Sequence, residues 1–557
     1  MNRPFSDVEN HHFRNLLFIA EPNYIVPGRK RHTANFDKEA LNIVEELKKE
    51  IVRDVNEAGH KTICITSDHG TSDDQFRTKK NALTVSRCTK NYVIKKDIVK
   101  MIKCEGSQTG LRIRKDVKLS LTERAGWESS WTVNWVTDNE AKQVNARAPD
   151  KHHEVEFEIN YTGSCVDHTV ELAIEESLTQ CSSMKSAVHK IRVLVNHIKD
   201  SSIDREKFHK ILSDSGIEMM TIIQGTANRW FFKYAETKRA LVLKEYIDVF
   251  LDNYEGEALE VIDENDWTLI LTYENALRTL VEAAKVLEGE LYPTASSVIP
   301  FLDTVFYELG QLSSKLTRVA KSFVDTLYSN LRSNRRFPLG YKMTQPYATL
   351  TLLDPRYKHL YFSQEELGQA IKELSLSRLL DNEASVSSDT VQETGSSDGN
   401  SVDELSTEDQ RRRLLLVAKN VTSAAPARNV GVSMIERVQA EVSKYLDFGG
   451  CIEMSENPCN WWRQYGAQFP LMNKFFIANC AFPATSTSSE RAFSMDGLIL
   501  IPQRRRLDPN RTENLVICRD YWMSRTEAES FKLCQMCPQP PSSAACYKIS
   551  CAKHQKK

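Results

Sequence analysis

The chain has 557 residues, of which 41% are apolar and 27% charged, with a formal net charge of −2. That composition excludes a disordered chain, and the length exceeds one simple core, so two to four domains are expected. No run of 18 apolar residues occurs, which argues against a membrane span, and MNRPFSDVEN has no signal-peptide core.

In chain order, residues 37–59 place Leu41, Val44, Leu47, Ile51 and Val55 at three- and four-residue spacing, the pattern of an amphipathic helix. KTICITSDHGTSDD follows as a strand-like run ending in acids, Asp68 among them. SSWTVNWVTDNE is a second such run and ends on Asp138, and EVEFEINY (154–161) alternates as a third strand. From about residue 165 to 375 the periodicity turns helical, with Ile191, Leu194, Val195 and Ile198 as one stripe. Residues 383–411 are rich in Ser and Asp and nearly free of large apolar side chains, which predicts a disordered linker. Order resumes with SMIERVQAEVSKYL, NWWRQYGAQFPLMNKFF and ATSTSSERAFSMDG. The thirteen cysteines lie in apolar stretches such as TICITSD and FFIANCAF, a pattern of reduced thiols in cytosol or nucleus rather than a disulfide framework.

Two acids at strand ends suit one chemistry in particular. Neighbouring strands of a sheet bring such carboxylates close together, where they hold hard divalent cations through oxygen ligands. Two such ions stabilise the attacking and leaving oxygens of a phosphoryl displacement. Glu490, in the first turn of a helix, would supply a third carboxylate. Each acid also has a plainer reading. An Asp at a strand end starts a turn, and Glu490 complements the helix dipole, with Ser488 or Ser489 as the expected cap.

Several motifs together carry a family resemblance. SERAFSMDG supplies Ser489, Glu490, Arg491, Phe493, Ser494 and Gly497, and RRRLDPNRTENLVICRDYW follows. Upstream lie WWRQYGAQFPLM, with Trp461, Trp462, Phe469 and Pro470, and LLDPRYKHLYF at 352–362. The chain thereby resembles the hAT (hobo/Activator/Tam3) superfamily of transposases, and residues 4–29 resemble the segment before the catalytic core in BED-finger relatives. The resemblance implies an α/β RNase H-like core interrupted by a large all-α insertion, with a helical C-terminal dimerisation region. It implies a lead-in at 1–36, core at 37–161 and helical insertion at 162–382. The linker at 383–411 then precedes a return to the core and the dimerisation region at 412–525, and a cysteine-containing tail at 526–557. Asp68, Asp138 and Glu490 match the catalytic acids, with Mg²⁺ as their metal. Cys165 and His168 match the C-x-x-H pair that opens the insertion, where a packed helix start competes with metal binding. Arg229 and Trp230 match a DNA-contacting R-W pair whose tryptophan stacks on a flipped base. Trp461, Trp462, Phe469 and Phe493 are the aromatic candidates for dimerisation, with a hydrophobic core as the other reading for the tryptophans.

The chain also departs from the family pattern. Gly70 stands where the family commonly has an aromatic, in D-x-W-T-S. No C-x-x-C precedes Cys64, so no BED-type zinc finger is expected in this chain. Cys534, Cys537, Cys546, Cys551 and His554 have loosely zinc-like spacing, but their Pro/Ser filling fits a flexible thiol-bearing tail better. Residues 77–118 hold thirteen Lys/Arg against Asp97, Glu105 and Asp116, which reads either as a solvated basic face or as phosphate contacts. The functional expectation is a nuclear protein that binds DNA and itself, with a role in transcriptional regulation. The alternatives are an active DDE-type transposase and a catalytically dead interaction scaffold.

Overall fold

The computed structural model describes residues 5–217, 230–316, 318–333, 335–337, 340–377, 433–500 and 504–535, with side chains to 525. The expected linker at 383–411, Arg229, and the side chains of Cys534, Cys537, Cys546, Cys551 and His554 lie outside the described residues.

A long helix, Arg29–Ala58, enters a five-stranded sheet built from β1 (Thr62–Thr71), β2 (Lys79–Cys88), β3 (Ile94–Lys103), β4 (Thr132–Thr137) and β5 (Ile159–Ser164). The order across the sheet is β3-β2-β1-β4-β5. β1, β2 and β3 form an antiparallel meander, while β4 pairs parallel to both β1 and β5. The parallel pairs require crossovers, and helices Gly110–Ala125 and Ala141–Arg147 supply them.

The 29–58 helix buries Val44, Leu47, Ile51 and Val55 as its periodicity predicts, but Leu41 is exposed and Ala40 and Ile43 take its place inward. The third strand begins at Ile159 rather than Glu154 and runs to Ser164. Its polar partner positions blur the expected alternation. β2 and β3 are not legible in the sequence because Lys and Arg interrupt every apolar run. Those cations are consumed internally. Arg87 pairs with Asp97 (2.5 Å) and Asp54 (3.0 Å), and Lys95 with Glu50 (2.7 Å). Lys90, Lys100, Lys103 and Arg112 meet Glu57, Glu513, Glu105 and Asp116. Arg114 donates to the carbonyls of Ala148 (2.8 Å) and Phe157 (3.0 Å). Most cations of the basic stretch are therefore paired, some with Asp97, Glu105 and Asp116 inside it and others with Glu50, Asp54, Glu57 and Glu513 from elsewhere, and a free phosphate-binding face cannot be drawn from it.

The sheet has two dissimilar faces, as strand periodicity demands. Ile63 and Ile65 join the core beneath the 29–58 and 110–125 helices. Cys64 faces the opposite way, into the core shared with the helical part and the C-terminal aromatic residues. Helices run from Val166–Gln180 through Gln364–Ser375, and the helical part has a further core of its own around Ile191, Leu194, Phe208, Phe250 and Trp267. After residue 432 come helices Met434–Asp447, Pro458–Tyr465, Pro470–Asn479, Thr487–Ile499 and Pro509–Gln535. Asn134 of β4 donates to Asn479 (2.9 Å), which fastens the 470–479 helix to the sheet. All described cysteines, Cys64 to Cys518, are free thiols.

The LDPRYK segment is a buried hub. Asp354 holds Arg356 at 2.7 Å and accepts from Ser296 Oγ (2.6 Å). Lys358 Nζ donates to the carbonyls of Tyr445 (3.1 Å) and Phe448 (2.9 Å), and Trp462 Nε1 donates to the Leu353 carbonyl (2.8 Å). Buried charges persist only when paired and hydrogen-bonded, so this motif reads as the joint between the helical part and the C-terminal helices.

Candidate functional site

β1 and β4 run parallel with Ser67 opposite Thr137, so the next residue on each, Asp68 and Asp138, emerges side by side. Period two also places Asp68 on the same face of β1 as Thr66 and Gly70. The 487–499 helix lies along that face. Ser489 Oγ and Thr66 Oγ1 share a hydrogen bond of 2.6 Å with both residues fully buried. Four residues on, the Phe493 ring occupies the space over Gly70, 2.7 Å from where a Cβ would stand. One turn further, Asp496 accepts from Ser72 Oγ (2.6 Å) and pairs with Lys80 (3.0 Å), both buried. Ser489, Phe493 and Asp496 form one helical stripe, which fixes the helix against β1 and β2.

This seating brings the acid beside the stripe, Glu490, to the strand-end aspartates. Burial and the neighbouring charges of Asp138 and Glu490 push Asp68 well above the usual carboxylate range, and a hydrogen bond with the Asp138 side chain adds to the rise. Asp138 is also raised, chiefly by burial, against a hydrogen bond from the Glu140 amide (3.1 Å) and the favourable charges of His168 and His69. The three expected acids are thus within electrostatic reach of one another, though 70 residues and then 352 residues separate them in sequence (138 − 68 and 490 − 138).

The donor set, three carboxylates and no cation among them, has the chemistry of a hard divalent site. Among the described residues, however, no three His, Cys, Asp or Glu side chains are arranged to hold a metal ion. Crowded carboxylates raise one another's pKa, which is the direction seen at both aspartates.

The surroundings add residues that sequence reasoning missed. His69 Nδ1 lies 2.5 Å from Glu140 Oε2, beside both aspartates. Arg147, buried, donates to Thr137 Oγ1 (3.0 Å) and Ser164 Oγ (2.8 Å), tying the ends of β4 and β5 behind Asp138. A D-H-x-x-S or D-N-E reading carries no signal for such a pair until the strands are aligned.

Other expected site residues fall differently. Cys165 is fully buried and caps the 166–180 helix, while His168 one turn on lies toward Asp138; the two do not converge on a common centre. Burial raises the Cys165 thiol far above its usual range. Trp230 is 2% exposed and stacks on Phe231 with centroids 4.0 Å apart, so neither ring face is open to a base. Trp462 and Phe469 are fully buried and Trp461 nearly so, interlocked with Tyr445 and Phe476. Phe493 is spent on Gly70. Trp461, Trp462 and Phe469 are thus packed in the chain's own interior, while Phe493 is only partly buried. The cap expected at Ser488 or Ser489 also differs. Ser486 stands at the helix N-cap without a side-chain cap bond, and Ser489 is used on the sheet instead. No helix among the described residues is long and apolar enough to cross a membrane.

Comparison with known proteins places these features. The model of the hAT family C-terminal dimerisation region matches residues 441–523, and that of the ZBED1 RNase-like helical domain matches residues 163–275. Over 522 residues the chain is 23% identical to zinc finger BED domain-containing protein 4 of Homo sapiens, covering 88% of this chain and 40% of that protein. It is 21% identical over 556 residues to the putative AC transposase of Zea mays, covering 93% and 63% respectively. Zinc finger BED domain-containing protein RICESLEEPER 3 of Oryza sativa subsp. japonica is 23% identical over 400 residues, covering 67% and 49%. The chain thus spans less than two thirds of the length of each of these relatives. With these two domains in place, the chain is a hAT transposase-like protein carrying the hAT C-terminal dimerisation region.

Proposed function

We propose that this chain is a nuclear, hAT-transposase-derived protein that self-associates through its C-terminal region and binds DNA, with transcriptional regulation as its role. The observation that carries the reading is the dimerisation-region match at 441–523, the segment that also seats the 487–499 helix on the sheet. Relatives named as BED zinc finger proteins and as a transposase support a DNA partner. The strand order β3-β2-β1-β4-β5, with acids at the ends of β1 and β4, supports an RNase H-like core. Sedimentation of the purified chain at micromolar concentration tests self-association: a dimer or larger species is expected, and a monomer throughout would overturn it.

A second reading, an active DDE-type transposase, is favoured by the gathering of Asp68, Asp138 and Glu490. Those three side chains would hold Mg²⁺. Bound there, the metal would polarise a phosphodiester and activate the attacking oxygen. Arg147 and the stripe of the 487–499 helix would hold the acids in position. Incubation with Mg²⁺ or Mn²⁺ and DNA bearing flanking terminal repeats is the test. Nicking that vanishes in Asp68→Asn supports the enzyme, and no nicking by folded protein leaves a binding protein or a scaffold.

A further inference from the structure

The turn that follows β1 carries an aromatic ring with no part in the fold. Asp74, 4% exposed, accepts from the amides of Phe76 (3.0 Å) and Thr78 (2.9 Å) through Oδ1, and its carbonyl accepts from the Arg77 amide (3.1 Å). The Ser72 amide donates to the Thr78 carbonyl (2.9 Å), which closes the turn at its base. The Gln75 amide donates to the Arg505 carbonyl (3.0 Å), so the 504–507 segment is pinned against the same turn. Phe76 stands at the tip of this well-bonded turn and is 73% exposed. A sequence that only needed a turn would place a polar residue there.

The charge around the ring has one sign left over. Arg77 pairs with Asp73 at 2.9 Å, and Asp74 is turned inward. Lys79, Arg505 and Arg506 are exposed. No carboxylate among the described residues pairs with either arginine, in contrast to the cations of β2 and β3. The turn continues the strand that carries Asp68. Asp68 is three residues before the end of β1 at Thr71, roughly 10 Å of strand.

We infer that Phe76 is a stacking platform for an unpaired DNA base, with Arg505 and Arg506 on the flanking phosphates. The inference rests on the DNA-binding reading above. An exposed aromatic ring between unpaired cations is the combination that holds single-stranded or distorted DNA, because every base offers a π-face and every nucleotide a negative charge. Trp230, the residue expected to stack, is 2% exposed, whereas Phe76 is 73% exposed.

The test uses the full chain and a DNA duplex with one unpaired 2-aminopurine. Wild-type protein is expected to quench the probe. Phe76→Ala and Phe76→Leu should lose the quench and weaken binding by at least about five-fold, while Phe76→Trp retains both. Arg505→Ala with Arg506→Ala should lower the slope of log affinity against log salt by about 2. Quenching and affinity unchanged in Phe76→Leu and Phe76→Ala, with wild-type DNA binding intact, would overturn this inference alone. Absence of any DNA binding by the wild-type chain would overturn the DNA-binding reading as well.

Discussion

Phe493 fills the place of a side chain at Gly70. The family resemblance implies an aromatic at that strand position, and here an aromatic from the returning helix lies over a bare backbone, 2.7 Å from the position of a Cβ. The contact joins two segments 423 residues apart (493 − 70).

That contact sets the outcome of restoring a side chain. Gly70→Ala forces the Phe493 ring to shift and should cost about 1–3 kcal/mol, the usual range for overpacking. Phe493→Leu should relieve part of the clash, so the double variant is expected to be more stable than the sum of the singles implies. Urea unfolding of all four proteins measures the coupling, and strict additivity would count against the contact.

Ser489 ties the acid-bearing helix to β1. Ser489→Ala leaves Thr66 with one of its two buried hydroxyl partners, the other being Thr84 Oγ1 at 2.5 Å. A loss of about 1–2 kcal/mol is expected. If the chain cuts DNA, the rate should fall more steeply than the stability, because Glu490 is the next residue. A rate that merely tracks the folded fraction would show that the bond does not position the acid.

The raised Asp68 and Asp138 make the acidic cluster a pH-dependent liability. Both groups hold protons more tightly folded than unfolded, so their contribution is fully present below the unfolded value near 3.8 and is lost as pH rises through the raised folded values. Asp68→Asn should therefore stabilise the protein at neutral pH by on the order of 1 kcal/mol. Millimolar Mg²⁺ should raise the wild-type Tm and leave that of Asp68→Asn unchanged. A variant that melts lower than wild type at pH 8 would contradict this account.

Asp520 offers a second pH-dependent group. Buried at β3, where it accepts from the Ile98 amide (2.9 Å), its carboxyl is pushed up to about 7, mainly by burial. The proton it retains stabilises the fold below about pH 4, and that advantage is lost progressively as pH rises to about 7. Asp520→Asn keeps an acceptor for Ile98 and should flatten this decline, with a gain on the order of a few kcal/mol at pH 8 and little at pH 4. Thermal melts at the two pH values decide it, and equal shifts at both would count against the linkage.

Trp462 distinguishes a folding residue from an interface residue. Its ring is fully buried, and its indole N–H is bonded to Leu353. Trp462→Ala should cost about 3–5 kcal/mol, with loss of folded protein at every concentration. An interface residue would instead give a folded monomer, which sedimentation combined with circular dichroism would detect.

The acids, the SERAFS motif, the LDPRYK motif and the change from strands to helices were legible in the sequence, because each depends on local residue type or short period. The register of β1 on β4, which sets Asp68 beside Asp138, was not, since strand pairing leaves no local trace. The same holds for β2 and β3: their lysines and arginines read as a basic surface until Glu50, Asp54 and Glu513 arrive from other segments. The aromatic motifs were visible too, but whether Trp230, Trp461 and Trp462 face a ligand, a partner or the interior depends on what packs over them. The sequence by itself determined which side chains were available and which family they resemble. The tertiary structure alone decided which of them meet, because burial and charge pairing are properties of the neighbours a side chain acquires, not of the side chain.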